Sequence, residues 1–170
     1  MSSRSRNRIP SKYFVTQGSG SSDNQVHAGS FHMALHAAGI SAFNIQTYSS
    51  VLPACAKEVA MKDARLPRFG SEMMTIMAVA NGGRGDYICA GITYGWLYKG
   101  RKKIGGLVCE VTGKMSTTDM LVKLHTALHE LHERTYAQYE LKCVSTIVEP
   151  FHVDKAHGTA LVALCFTEYK

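Results

Sequence analysis

His125, His129 and His132 stand four and three residues apart, a spacing that gathers three imidazoles on one side of a helix. Neutral imidazoles so gathered can bind zinc or copper. Glu130 falls inside the run as H-E-L-H, so no carboxylate occupies the general-base position of H-E-x-x-H. The three are read as residues bordering an apolar stripe, and no metal is expected. The other nucleophiles are no better organised for a hydrolase. Ser, Cys and His are all present, but no G-x-S-x-G elbow occurs. Cys143 and Cys165 fall in apolar strand patterns, where a thiolate is poorly solvated. The five cysteines form no C-x-x-C pair, which suits a reduced compartment without a disulfide framework. Gly18–Asp23, GSGSSD, matches neither the dinucleotide nor the P-loop glycine spacing and is read as a flexible loop. One further pair remains, Ser49-Ser50. On composition alone it is a turn at a strand end.

The elements that must position these groups follow from hydrophobic period. Phe31, Ala34, Leu35 and Ala38 recur at helical spacing, so His27 to Ala38 is a helix with Gly39 as its stop. Strands are expected at Lys12–Gln17, Ala42–Thr47, Glu72–Ala80, Tyr87–Tyr98 and Ile104–Val111. Ser116 opens a second helix, with Asp119 completing a capping-box pattern. Its stripe is Leu121, Leu124, Leu128 and Leu131, and it extends to about Glu140. Lys142–Val148 and Thr159–Thr167 finish the chain as strands. Two helices against many strands give an α+β domain whose helices cover sheet faces.

The 170 residues suffice for one domain with a real core, and the 45% hydrophobic content excludes wholesale disorder. No apolar run approaches the roughly 20 residues that span a bilayer, and the N-terminus lacks the apolar region of a secretory signal; a cytoplasmic protein with no membrane partner is expected. The net charge of +6 is concentrated at Arg4, Arg6, Arg8 and Lys12, with a second cluster from Lys99 to Lys103. Residues 1–11 read as a mobile tail, and residues 12–170 as the domain. Nucleic-acid binding would need a basic face with interleaved aromatics, which the pattern lacks, so none is expected.

The surroundings of Ser49-Ser50 change its reading. Phe31–Ile40 ends in A-G-I, Phe43-Asn44-Ile45 follows, and then Tyr48-Ser49-Ser50-Val51-Leu52-Pro53. Downstream stands Gly106-Leu107-Val108-Cys109-Glu110-Val111-Thr112-Gly113-Lys114, and Gly158–Lys170 closes the chain. These four pieces, in this order, resemble the pyruvoyl-dependent arginine decarboxylase family from about Lys12 to the end. The resemblance implies a four-layer αββα sandwich, made as a self-cleaving proenzyme and assembled as a homotrimer with sites between subunits. Ser50 would attack the Ser49 carbonyl, and the cleaved chain would carry a pyruvoyl group derived from Ser50. That group does for an amino-acid substrate what pyridoxal does elsewhere, accepting the electrons released with carbon dioxide. Arginine would become agmatine, in polyamine biosynthesis. By matching position Glu110 would be the proton donor, and its neighbours Leu107, Val108 and Val111 suit a raised pKa. Asn44 would hydrogen-bond near the cleaved bond. Without the resemblance, Glu110 is an exposed strand residue paired with Lys114, and Asn44 a strand-start residue.

One position departs from the family pattern. His32 stands where arginine-specific relatives place an acid on the first helix. A guanidinium wants a carboxylate, and a neutral imidazole offers one acceptor at most. Either another acid reads the substrate, or the same chemistry acts on another amino acid. A non-catalytic oligomeric binding protein of the same fold is the third reading. Ala28, Leu35, Ser41, Phe43 and Val108 match other pocket positions.

Overall fold

The computed structural model of the chain describes residues 8–24 and 27–170. Residues 1–7 of the expected tail, and the side chain of Ala28, lie outside the described residues. The elements run β1 (Pro10–Ser22), α1 (His27–Ala37), β2 (Asn44–Thr47), β3 (Val51–Pro53), β4 (Lys57–Glu58), β5 (Glu72–Gly83), β6 (Tyr87–Lys99), β7 (Lys102–Gly113), α2 (Thr117–Thr135), β8 (Glu140–His152) and β9 (His157–Tyr169), with a 3-10 turn at Met61–Asp63. One sheet has the order β2-β5-β9-β1-β4, the other β3-β7-β6-β8.

Burial sorts these elements into four layers. Successive side chains of a strand face opposite ways. On β6, Ile88, Ala90, Ile92 and Tyr94 meet Ile76, Ala78 and Ala80 of β5 and Val162, Leu164 and Phe166 of β9, forming the core between the sheets. Cys89 turns the other way, onto Met120 and Leu124 of α2. On β9, Leu161, Ala163 and Cys165 turn onto Ala34, Leu35 and Ala38 of α1. The inner strands are therefore buried on both faces, which explains their unbroken apolar runs. At 25 cal/mol per Å² of apolar area, each fully buried Leu or Ile here stabilises by roughly 1.5–3 kcal/mol.

Four sequence expectations are corrected. Gly18–Asp23 is not a loop: through Ser22 it continues β1, paired antiparallel to β9, with Gly18 opposite Leu161 and Gly20 opposite Thr159. The glycines serve close packing. A Cβ at Gly18 would stand 2.5 Å from the Ala34 carbonyl oxygen and the Ala38 nitrogen, and one at Gly20 2.5 Å from the Met33 Cβ. The first strand starts at Pro10 rather than at the expected Lys12, and just before it Ile9 and Lys170 exchange backbone hydrogen bonds. The α2 stripe is Met120, Leu124 and Leu128, while Leu121 is exposed. Finally, α2 stops at Thr135, where Tyr136 N–H donates to His132 and the Thr135 hydroxyl to Leu131, five residues before the expected end. Both helix starts and stops otherwise match their signals. Ser116 Oγ accepts from Asp119 N–H at 3.1 Å. At the end of α1, Gly39 has φ of +74°, Ile40 N–H donates to Leu35 and Gly39 N–H to His36, a Schellman closure.

Candidate active site

Ser50 is placed by its neighbours on both sides. β3 lies along the edge of the four-stranded sheet, with Val51 opposite Leu107 and Leu52 opposite Gly106. Pro53 is tolerated because this is an edge strand. Continuing that ladder, Val108 N–H donates to the Ser50 carbonyl at 3.0 Å. The Val51 N–H turns back instead, and donates to the Ser49 carbonyl at 2.8 Å. That i to i+2 bond makes a three-residue turn centred on Ser50. The carbonyl of the Ser49–Ser50 peptide thus carries a backbone donor.

The Ser50 hydroxyl points to Glu110 on β7, with both carboxylate oxygens 2.8 Å away. Val108 is buried in the core between the sheets, and Glu110, two residues on, shares its face. Burial pushes the Glu110 carboxyl above its ordinary value, more than the Ser50 hydroxyl lowers it. Lys114 does not pair with Glu110; it bridges Asp86 at 2.8 Å. The exposed Glu110–Lys114 pair that the sequence alone suggests is absent. Next to it, burial raises the Cys109 thiol to about 11, with Glu110 adding to the effect.

The remaining candidates are carried by α1, the segment after it and β2 of the five-stranded sheet. Asn44 begins β2, at the edge of the five-stranded sheet, and donates from Nδ2 to the Gly70 carbonyl at 2.6 Å. Its register partner on β5 is Glu72, also exposed. Leu35 is buried against that sheet, and Phe43 packs on the same cluster. Ser41 Oγ sits 3.5 Å from His36 Nδ1. His32 is exposed on α1. Within one chain, then, Ser49, Ser50, Val108 and Glu110 come together, and His32, Leu35, Ser41 and Phe43 belong to the α1 side of the other sheet, while Asn44 alternates with Ile45 onto the opposite face of that sheet.

The histidines of α2 separate as well. His125 and His129 line an open groove with Glu130, Glu133 and Arg134, whereas His132 is bonded through Nε2 to the Tyr139 carbonyl at 2.8 Å. Among the described residues, no group of three or more His, Cys, Asp or Glu is placed to hold a metal, and no helix is long and apolar enough to cross a membrane. Cys143 is exposed and lies at a β8 irregularity with φ of +52°, not in a buried strand centre.

Sequence reasoning missed a cleft of about 320 Å³ beside the Ser49–Ser50 bond, lined by Arg8, Ile9, Pro10, Tyr48, Ser49 and Val51–Pro53. Arg8 stacks over the Tyr169 ring at 4.4 Å. Nothing in the local pattern of residues 8–10 signals it, because the cleft arises from the start of β1 lying beside β3.

Two comparisons bear on this arrangement. Residues 12–170 match the sequence profile of the family described as pyruvoyl-dependent arginine decarboxylase. A segment of 74 residues is 38% identical to the pyruvoyl-dependent arginine decarboxylase of Picrophilus torridus. That segment is 43% of this chain and spans only 40% of the relative's length.

Proposed function

The chain belongs to the pyruvoyl-dependent arginine decarboxylase family, and from that premise we propose that it is a self-cleaving amino-acid decarboxylase acting on arginine. The observation that carries the reading is the Ser50 hydroxyl held on half-buried Glu110 at the turn that bonds the Ser49 carbonyl.

Cleavage at Ser49–Ser50 needs a hydroxyl in reach, a polarised carbonyl and a hydrogen-bond acceptor that holds the hydroxyl in place. Ser50, the Val51 N–H and Glu110 supply one each. A backbone donor fixed before reaction costs no reorganisation when charge develops, and losing such a donor typically slows acyl chemistry by about 10²–10³-fold. The residues fit the prosthetic group that the family uses, because the serine that would become it already stands against the one acid a donor role requires. When formed, the pyruvoyl ketone supplies the electron sink for loss of carbon dioxide. Glu110 then holds the proton for the substrate's α-carbon. A carboxyl donates near neutral pH only when its environment favours the neutral form, and burial does that here.

Arginine is the substrate named by the family, with agmatine and carbon dioxide as products. His32 does not provide the anion a guanidinium seeks. Glu72, beside Asn44 in the parallel register, is the acid best placed to replace it. If it does, Glu72→Gln raises KM for arginine with little change in kcat. Should Glu72 be silent, the same chemistry on another amino acid is favoured. The separation of the His32 side from the Ser50 cluster supports a site completed by a second copy, in a homotrimer. Phe69, 90% exposed on the loop whose Gly70 carbonyl holds Asn44, is suited to that contact.

Labelled carbon dioxide released from a panel of amino acids tests the reading, with Ser50→Ala as the control. Release from arginine that Ser50→Ala abolishes is the expected result. No release from any amino acid would favour a binding protein of the same fold.

A further inference from the structure

Self-cleavage leaves more than a prosthetic group; it leaves a new chain end. The Ser50 oxygen bonds to the Ser49 carbonyl carbon as the peptide C–N bond breaks, and the hydroxyl proton passes to the freed amine. Loss of the Ser50 α-proton then breaks the Cβ–O bond, and the electrons of that bond depart with the Ser49 carboxylate. A full negative charge so appears where a neutral peptide stood, beside Glu110. An unheld, charged chain end would share space with the incoming substrate.

From the lining of the cleft, we propose that Arg8 is the receptor for the Ser49 carboxylate, drawing the spent end out of the active site. The inference rests on the self-cleavage reading above. Arg8 and Ser49 line the same cleft. The ion pairs formed among the described residues join Lys12 to Glu168, Arg84 to Asp23, Lys114 to Asp86, Arg134 to Glu130 and Lys142 to Glu140, so none engages Arg8. Its position is nonetheless fixed. Ile9 is tied to Lys170 by two backbone bonds, and the guanidinium lies on Tyr169. The Tyr169 hydroxyl, pushed up to about 12 chiefly by burial, interacts with Tyr48, the residue before Ser49. A guanidinium carries five N–H donors, more than one ring contact can engage, so donors remain for a carboxylate.

The test uses cut wild-type protein labelled with [1-¹³C]serine. Ser49 would carry the only serine carboxyl in the cut protein, because the other serines keep their carbonyls in peptide bonds. Its ¹³C titration is expected below the ordinary C-terminal range of about 3.3–3.7, and Arg8→Gln is expected to return it to that range. Melting gives a second readout. Arg8→Gln should lower Tm by about 2–4 °C more in the cut protein than in uncut Ser50→Ala, because loss of the Tyr169 stacking is common to both. A titration indifferent to Arg8, or equal Tm losses in the two forms, would overturn the proposal. So would an Arg8→Gln effect confined to KM, which would assign Arg8 to the substrate. A protein that never cuts shows no serine carboxyl signal at all and removes the self-cleavage reading along with this one.

Discussion

Glu110 is asked to be neutral in a folded protein at a pH where a free glutamate is ionised. Burial raises its carboxyl, so the folded state keeps a proton that the unfolded chain has released. Stability contributed by this group therefore falls as pH climbs from about 4.3, the ordinary glutamate value, through the raised one, and stays low above it. Placed in uncut Ser50→Ala, Glu110→Gln should raise Tm relative to its parent at pH 7.5 and give no gain at pH 4. A gain equal at both pH values would contradict the burial argument. In the cutting-competent chain Gln keeps an acceptor for the Ser50 hydroxyl, so cutting proceeds, while decarboxylation should fall by about 10²–10⁴-fold for want of the proton. Full turnover by Glu110→Gln would remove the donor role. Replacing the Val51 amide by an ester removes its N–H alone, and should slow cutting by about 10²-fold with the fold retained.

At the scale of elements, the strand β1 and the helix α1 show how far periodicity reads and where it stops. The α1 stripe, its glycine stop and the Ser116 cap were legible because each is a local signal whose partner lies within a turn or two. GSGSS was misread because its glycines answer to a helix packed across the sheet, and no local pattern shows that helix. Gly18→Ala should cost several kcal/mol, roughly the 1–3 of an overpacked core or more, since backbone atoms of α1 stand where the methyl would go. A Tm unchanged by Gly18→Ala would mean that α1 is not seated as described. At the start of the α2 stripe Met120 takes the place expected for Leu121 for a similar reason, while Leu124, Leu128 and Leu131 pack as expected. Met120 and Leu121 are both apolar, and only the buried surface of β6 chooses between them. Of the site, the Ser49-Ser50 pair, Glu110 and Val108 were legible through family resemblance, and periodicity alone would have left Ser50 in a turn. The Arg8 cleft was illegible because its walls come from two segments about forty residues apart, Arg8 to Pro10 and Tyr48 to Pro53.

For the whole molecule, the +6 net charge offers no steering toward a cationic substrate. Recognition then falls to local acids, and the resemblance implies that His32 stands where arginine-specific relatives carry one. Changing His32→Asp should improve arginine turnover if wild type relies on a weaker acid elsewhere, and a substrate panel of both proteins measures it. No gain with arginine, beside efficient turnover of another amino acid, would redirect the substrate reading. Assembly belongs at this scale too, because the two groups of site residues lie on different sheets of one protomer. A native mass of three protomers is the expected state, and a stable active monomer would contradict a shared site.

The central claim is that the chain is a precursor that cuts itself at Ser49–Ser50, and intact mass measurement of the purified protein tests it directly. The account predicts two fragments, residues 1–49 and a second chain beginning at position 50 with a blocked, pyruvoyl-bearing end, and a single full-length mass for Ser50→Ala. A wild-type chain that stays at 18.6 kDa over days would contradict it.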